Sequence, residues 1–464
     1  MSQAVDPIAV VAPSTLATRS ITRAATSVFW LMWLMNFLNY VDRWAFTVVS
    51  PNIKAEFHLS DGQVGLLATA FLLTYTLGIL PLGLLADRVK RTFVVSGGVA
   101  FWSIATVLTA IIPGFAPLFI TRAALGLGEG SYYPAGTSLL SSYYAQKDRA
   151  RIMSRWGVGS MVGIATGFVL GGIIADAFGW RAAFFFFGPP GFILALLMLF
   201  AKEPPRQASD EASPELALAR QGTSGIWNDI VRLSRIHTLR VTVAVQALGF
   251  FVITASVVFL PILLKSQFHI STGKIGIISG AVIVLGGVIG ILLGGVLADR
   301  LVARFPGARV LVGGWGFLLA TPFFIGAVLS AVAFPGIDST VRLYGMFAPF
   351  FLITAILMNI YSGPLTAAVQ DVTSPAMRAA AVGLTLMFSH LLGDLFSPYI
   401  VGTVGDALNA HSTAPLLHTL GVTPDNALGA SLLLFCVPLL IIAGIVGIRG
   451  AGAVVRDAQS IAAA

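Results

Sequence analysis

Gly83-Leu-Leu-Ala-Asp87-Arg88-Val-Lys90-Arg91 closes one long apolar run, and Gly295-Val-Leu-Ala-Asp299-Arg300 closes another. The two aspartates stand 212 residues apart, close to half of the 464-residue chain. A polar turn repeated at that distance means two similar halves, each with the turn behind a run long enough to cross a bilayer as a helix. Working outward from it, apolar runs between short polar breaks predict twelve membrane spans. They lie at 28–50, 62–86, 93–112, 118–142, 153–175, 182–201, 240–263, 273–298, 310–333, 342–368, 379–404 and 428–450. The longest polar interval, 202–239, predicts a cytoplasmic linker, with a surface-lying helix around 227–239. The expected fold is an all-α polytopic membrane protein with six-helix halves at 27–201 and 240–450 and cytoplasmic tails at 1–26 and 451–464.

Composition agrees. The chain is 56% hydrophobic and 10% charged, against roughly 25% charged in soluble domains, and its mean hydropathy is +0.88. A net charge of +8 raises the possibility of nucleic acid, but its distribution argues against that partner. Of 28 Lys and Arg, 21 fall in the tails and alternate loops, 5 in the opposite loops and 2 inside spans. This bias predicts cytoplasmic termini. The lone Cys436 allows no intrachain disulfide. No signal peptide is read at the start, and the absence of Asn-x-Ser/Thr sequons fits a bacterial inner membrane. No metal cluster, phosphate loop or nucleophile–base set is visible, so neither an enzyme nor a cofactor is expected, and the chain reads as a monomer.

The repeated turn has a physical reading. Gly83 permits close helix approach, Asp87 can meet the positive N-terminus of another helix, and Arg88, Lys90 and Arg91 can pair with loop acids such as Asp148. A plain positive-inside stop explains the basic residues alone. The matched glycine and acid, with Asp299 and Arg300 in the second copy, point to a cytoplasmic gate. Span 5 carries Gly159, Gly163, Gly167 and Gly171, and span 8 carries Gly286, Gly290 and Gly294. Each set forms one helix face suited to tight packing, and also to sliding.

Only three acids lie well inside spans: Asp42, Glu129 and Asp394. Arg43, Arg122 and His390 join them. At 100° per residue, Asn36, Asn39, Tyr40 and Arg43 form one stripe of span 1, with Asp42 at its edge. In span 4, Arg122, Gly126, Glu129 and Tyr133 share a face; in span 11, His390, Gly393, Asp394 and Ser397 cluster. Helix rise puts Arg122, Asp42 and Glu129 roughly 7, 12 and 18 Å below the outer surface, so spans 1 and 4 can hold one charge network. With His390 neutral, two arginines against three carboxylates sum to −1, and one proton neutralises the set. Ionisable residues at membrane depth mark function by default. Asp42 or Glu129 is therefore expected to carry the proton. Arg43, Arg122, Asn39, Tyr40, Tyr133, His390 and Asp394 are expected to meet substrate, with the arginines suited to a phosphate or carboxylate head. A structural role as interhelix ion pairs is the alternative, and for His390 and Asp394 a simple mutual hydrogen bond.

Two parallel six-span halves, each with Gly-x-Leu-Ala-Asp-Arg at the same turn, resemble the major facilitator superfamily over the whole chain. Span 4 has its Arg-x-x-x-Gly-x-Gly pattern at Arg122–Gly128. Asn39-Tyr-Val-Asp42-Arg43, Phe101-Trp-Ser, Ser389-His390-Leu-Leu-Gly393-Asp394-Leu-Phe-Ser397-Pro398 and Lys202-Glu-Pro-Pro-Arg206 resemble the spinster family. That resemblance implies proton-coupled movement of lysolipids or sphingoid phosphates by alternating access. Asn39–Arg43, Gly128–Pro134, Trp156 and Gly179-Trp-Arg181 also resemble anion–cation symporters, which implies organic anions as the alternative cargo. A channel or membrane sensor is a third class, which the two matched halves argue against.

Overall fold

The computed structural model describes residues 15–144, 146–204, 231, 233–334, 336–373, 377–419 and 421–462. For residues 15–23, 87, 146–147, 150, 379–380 and 458–462 it describes the backbone alone. Every regular element among the described residues is helical. The first half contains α1 (Thr15–Glu56), α2 (Asp61–Arg88), α3 (Arg91–Thr109), α4 (Phe115–Tyr143), α5 (Gln146–Phe178) and α6 (Trp180–Leu199). The second contains α7 (His237–Phe268), α8 (Thr272–Val302), α9 (Ala308–Val332), α10 (Val341–Asp371), α11 (Arg378–Leu392 with Ser397–Ala410) and α12 (Ala427–Ala462). Ten of these are long and apolar enough to cross a membrane. The remaining two, α1 and α4, are the helices that carry Asn36, Asn39, Asp42, Arg43, Arg122 and Glu129, and those side chains lower their hydropathy.

Four boundaries differ from the sequence reading. Helix α1 begins at Thr15, so part of the expected tail 1–26 is helical, and α12 continues to Ala462 through most of 451–464. Span 10 opens with a π-helical turn, Val341–Phe347, and is interrupted between Asn359 and Ser362. Span 11, read as continuous, breaks between Leu392 and Ser397. The new segment starts with Ser397-Pro398, where the ring has no N–H to donate and belongs in a first turn. Residues 205–230 and 232 of the linker lie outside the described residues, among them 227–230 and 232 of the surface helix expected at 227–239, whose last residues, 237–239, already belong to α7.

The halves echo each other in detail. Helices α1 and α7 both end in a left-handed histidine, His58 and His269, each at φ 52°. Serine caps follow. Ser60 closes a capping box with Gln63 at the start of α2, and the Ser271 hydroxyl accepts from Lys274 N at the start of α8. We call the end bearing these turns the far end, and the end where α1 starts and α12 finishes the near end. The halves meet at the far end. A Cβ on Gly65 of α2 would lie 2.2 Å from the Pro398 carbonyl of α11, and one on Gly276 of α8 2.1 Å from the Phe168 carbonyl of α5. Toward the near end these helices separate. Gly157 of α5 and Gly287 of α8 face open space, and the Arg378–Leu392 segment of α11 packs on α7 instead of α2.

The glycine stripes serve packing within each half. Gly163 of α5 lies against the Phe37 carbonyl of α1, and Gly290 and Gly294 of α8 lie against the Ile356 and Ile360 carbonyls of α10. A face so tightly engaged inside its own half is not the one that slides at the α5–α8 interface. That interface uses Phe168, Gly172, Gly273 and Gly276.

Candidate functional site

A polar brace sets the height of α1 against α4 and α5. The Tyr132 hydroxyl and the Trp156 indole N–H both donate to the Met32 carbonyl, and Asn36 Nδ2 donates to the Trp156 carbonyl at 3.0 Å. Trp102 packs edge-on against Tyr132 with ring centroids 5.6 Å apart. Gly126 brings α4 onto α2, because a Cβ there would sit 2.3 Å from the Phe71 carbonyl. Polar residues on α1 and α4 thereby face the aromatic side chains of α2.

Within that frame Arg43 and Glu129 form an ion pair. Arg43 Nη2 lies 2.6 Å and Nε 3.2 Å from Glu129 Oε2. Glu129 is fully buried while the Arg43 side chain keeps 20% of its surface. The guanidinium also lies 4.8 Å from the Phe71 ring, 4.9 Å from Tyr75 and 5.2 Å from Tyr40. Arg122 is buried with its guanidinium carbon 4.0 Å from the Phe46 ring and 4.8 Å from Phe71, and it forms no ion pair among the described residues. Asp42, about 100° around α1 from Arg43, meets α3. Its Oδ2 accepts from the Thr106 hydroxyl of α3 at 3.3 Å, and its buried Oδ1 has no hydrogen-bond partner.

Spans 1 and 4 face each other at Arg43 and Glu129, which meets the condition for a shared charge network. Within it Glu129 takes Arg43, and the direct contact of Asp42 is with Thr106. Asn39 is buried within the expected stripe, and Tyr133 is half-exposed and meets Trp156 at a tilt, with ring centroids 5.4 Å apart.

In the second half, His390 Nδ1 and Asp394 Oδ2 are 2.8 Å apart, across the start of the break in α11. The imidazole lies nearly parallel to Phe250 at 4.2 Å, and Phe250 meets Tyr361, which stacks on Phe317. Gly393 permits this geometry, because a Cβ there would lie 2.3 Å from the Ala247 carbonyl of α7. Sequence reading missed Phe71, Tyr75, Thr106, Phe250 and Tyr361. A tyrosine one turn from a phenylalanine in an otherwise apolar span, as Phe71 and Tyr75 stand in α2, was a usable signal.

At the repeated turn, Arg91 pairs with Glu203 at 2.8 Å and donates to Ser138 and Ser142, so its carboxylate partner is at the end of α6, where Asp148 had been expected. Arg309 joins Asp371 and approaches Asp299 at 3.9 Å. Arg88 and Arg300 are exposed. The Asp87 side chain lies outside the described residues. A Cβ on Gly83 would meet only ordinary contact with Pro134 at 3.4 Å, so the close approach expected of this glycine is not made here. No group of three or more potential metal ligands occurs among the described residues.

The model of the Major Facilitator Superfamily matches residues 32–398. Human protein spinster homolog 1 is 31% identical over 396 residues, covering 81% of this chain and 72% of that protein. The zebrafish protein spinster homolog 3 is 29% identical over 420 residues, covering 86% and 81%. A crystal structure of a bacterial homolog to the human lysosomal transporter spinster, inward-facing and unoccupied, superposes with a TM-score of 0.78 at 23% identity, covering 94% of this chain and 98% of that one. A D-xylose–proton symporter superposes at 0.64 with 16% identity, covering 89% and 97%. These structural likenesses show the fold.

Proposed function

The chain belongs to the major facilitator superfamily and, within it, to the spinster family, and from that premise we propose that it moves an anionic amphiphile across the membrane in exchange or symport with protons. The observation that carries this reading is Arg122. A buried cation without a paired anion costs several kcal/mol, and an incoming phosphate or carboxylate head would supply the counter-charge. Arg43 would be the second holder of the head, once Glu129 releases it. A proton on Glu129 removes the charge that holds Arg43, so protonation and head binding favour each other. Asp42, buried with one oxygen unpartnered, is the second proton carrier. Tyr40, Tyr133 and Asn39 flank the head, and the aromatic run from His390 through Phe250 and Tyr361 offers a surface for the apolar part.

On this reading the termini are cytoplasmic, the membrane is a bacterial inner membrane, and the separation of the halves at the near end is an inward-open state. Residues 27–201 and 240–450 rock about the site as units tied by 202–239, the repeated turns with Asp87, Asp148 and Asp299 close the cytoplasmic side, and one chain suffices for transport. The test is uptake by proteoliposomes under an imposed pH gradient, with a lysophospholipid, a sphingoid phosphate or a dicarboxylic acid offered separately. Accumulation of the amphiphiles that collapses with an uncoupler supports the proposal. Accumulation of the dicarboxylic acid alone would replace it with an organic-anion symporter. Transport that keeps its pH dependence in both Asp42→Asn and Glu129→Gln would remove proton coupling from these acids.

A further inference from the structure

Two carboxylates at the far end each reach across from one half to the first turn of a helix in the other. Asp176, near the end of α5, accepts from the backbone N–H of Thr272 at 2.9 Å and of Gly273 at 2.8 Å, at the start of α8. Asp406, in the second segment of α11, accepts from the backbone N–H of Asp61 at 2.9 Å and of Gly62 at 2.7 Å, at the start of α2. The pairs are related as the halves are. Helices α5 and α11 are the fifth of each half, and α2 and α8 the second. The receiving turns repeat in sequence, His58-Leu-Ser-Asp-Gly62 and His269-Ile-Ser-Thr-Gly273, 211 residues apart. Asn52 of α1 adds a fifth bond across the halves, accepting from the Thr272 hydroxyl at 2.9 Å.

We infer that Asp176 and Asp406 are a matched pair of gate residues that hold the far-end exit shut by each closing a helix of the opposite half. The first amides of a helix have no partner inside it, and the helix dipole adds attraction for an anion there. Each carboxylate takes two of those amides through charge-assisted bonds. Glycine at the second receiving position makes this possible. A Cβ on Gly273 would lie 2.8 Å from Asp176 Oδ2, and one on Gly62 2.9 Å from Asp406 Oδ2. The neighbouring carboxylate of Asp61 is held aside by Lys54, which leaves the cap to Asp406. Because the bonds cross between halves, they exist only while the far end is closed, and opening it breaks both.

The inference uses the alternating-access part of the proposed function, and its test reads shape alone, without substrate or proton gradient. In a Cys436→Ala background, spin labels at Ile111→Cys and Leu416→Cys, exposed far-end positions on the two halves, report the distance by double electron–electron resonance. Asp176→Ala with Asp406→Ala is expected to raise the long-distance population about tenfold, and each single change by less. Gly62→Ala with Gly273→Ala, which keeps both acids and denies their approach, is expected to do the same. Asp457→Ala is the control. Asp457 caps Thr238 by the same chemistry within one half, at 2.7 Å, so its loss should leave the distance unchanged. An unaltered distribution in both double variants, or an equal shift in the control, overturns the inference. A shift in the label distance alongside failure of the amphiphiles in the proteoliposome uptake assay would leave the gate standing and count against the proposed cargo alone.

Discussion

Both halves place an arginine early in their fourth helix, and they use it in opposite ways. Arg342 of α10 is buried, with Nη1 2.9 Å from the Ala331 carbonyl and Nη2 3.3 Å from the Gln267 carbonyl. It closes the ends of α9 and α7, whose last carbonyls lack partners in their own helices. Arg122 of α4 is also buried but rests on aromatic faces, and among the described residues it forms no ion pair. The difference separates a cation satisfied by the fold from a cation left for something to bind. It extends to the other ionisable groups. The first half keeps Arg43 and Glu129 paired on unbroken helices, where the pair can open without the backbone moving. The second half puts His390 and Asp394 at a break in α11, where a change in their bond bears on the helix itself.

The comparison breaks most readily at the two arginines. Arg122→Ala is expected to reduce transport by about a hundredfold, the scale of losing one charge-assisted contact of roughly 3 kcal/mol, with little loss of thermal stability. Arg342→Ala is expected to do the reverse, costing about 2 kcal/mol through two orphaned carbonyls while transport per folded molecule stays within threefold. Uptake assays alongside melting in detergent measure both. Similar stability losses in the two variants would erase the distinction.

A smaller effect is expected at the α11 break. His390→Ala removes both the bond to Asp394 and the face against Phe250. Transport should fall by about tenfold, expressed chiefly in KM if the aromatic run holds the apolar part of the cargo. A fall confined to kcat would instead place the pair in helix movement, and an unchanged rate would reduce it to a local hydrogen bond.

These contrasts show what the sequence could and could not reveal. Helix number followed from run length, α1 and α4 included although their polar residues make their apolarity marginal, and the repeat of Gly-x-Leu-Ala-Asp-Arg divided the helices into two halves. The faces shared by Asn39, Tyr40 and Arg43, and by Arg122 and Glu129, followed from helical periodicity. Which acid met which arginine did not, because it depends on the rotation and height of α1 against α4, set by the distant brace of Met32, Tyr132 and Trp156. The break in α11 was visible as Gly393-Asp394 and Ser397-Pro398 but was outweighed by the apolar length around it. Asp176 and Asp406 went unnoticed because acids at span ends are ordinary on a membrane protein. Only the juxtaposition of the halves makes them caps.

The smallest effect concerns an ion pair that belongs to one half alone. Glu56, beyond the apolar run of α1, accepts from the Trp180 indole N–H at 2.6 Å and pairs with Arg181 at 2.6 Å. The indole hydrogen bond, and then those of the guanidinium, hold its carboxyl below the usual glutamate range. A carboxyl depressed in the folded state contributes stability that is present above its unfolded pKa, about 4.3, and lost as pH falls through the lower folded value. The pair is partly exposed, at 36% for Arg181 and 42% for Glu56, so solvent screening limits its worth to less than about 1 kcal/mol. Glu56→Gln should therefore lower the melting temperature slightly at pH 7, with the gap to the parent closing below about pH 4. Because both partners sit in the first half, the far-end label distance should not respond. A Glu56→Gln variant that did lengthen that distance would show the brace to be part of the gate, and would move the line between what holds one half together and what holds the two halves shut.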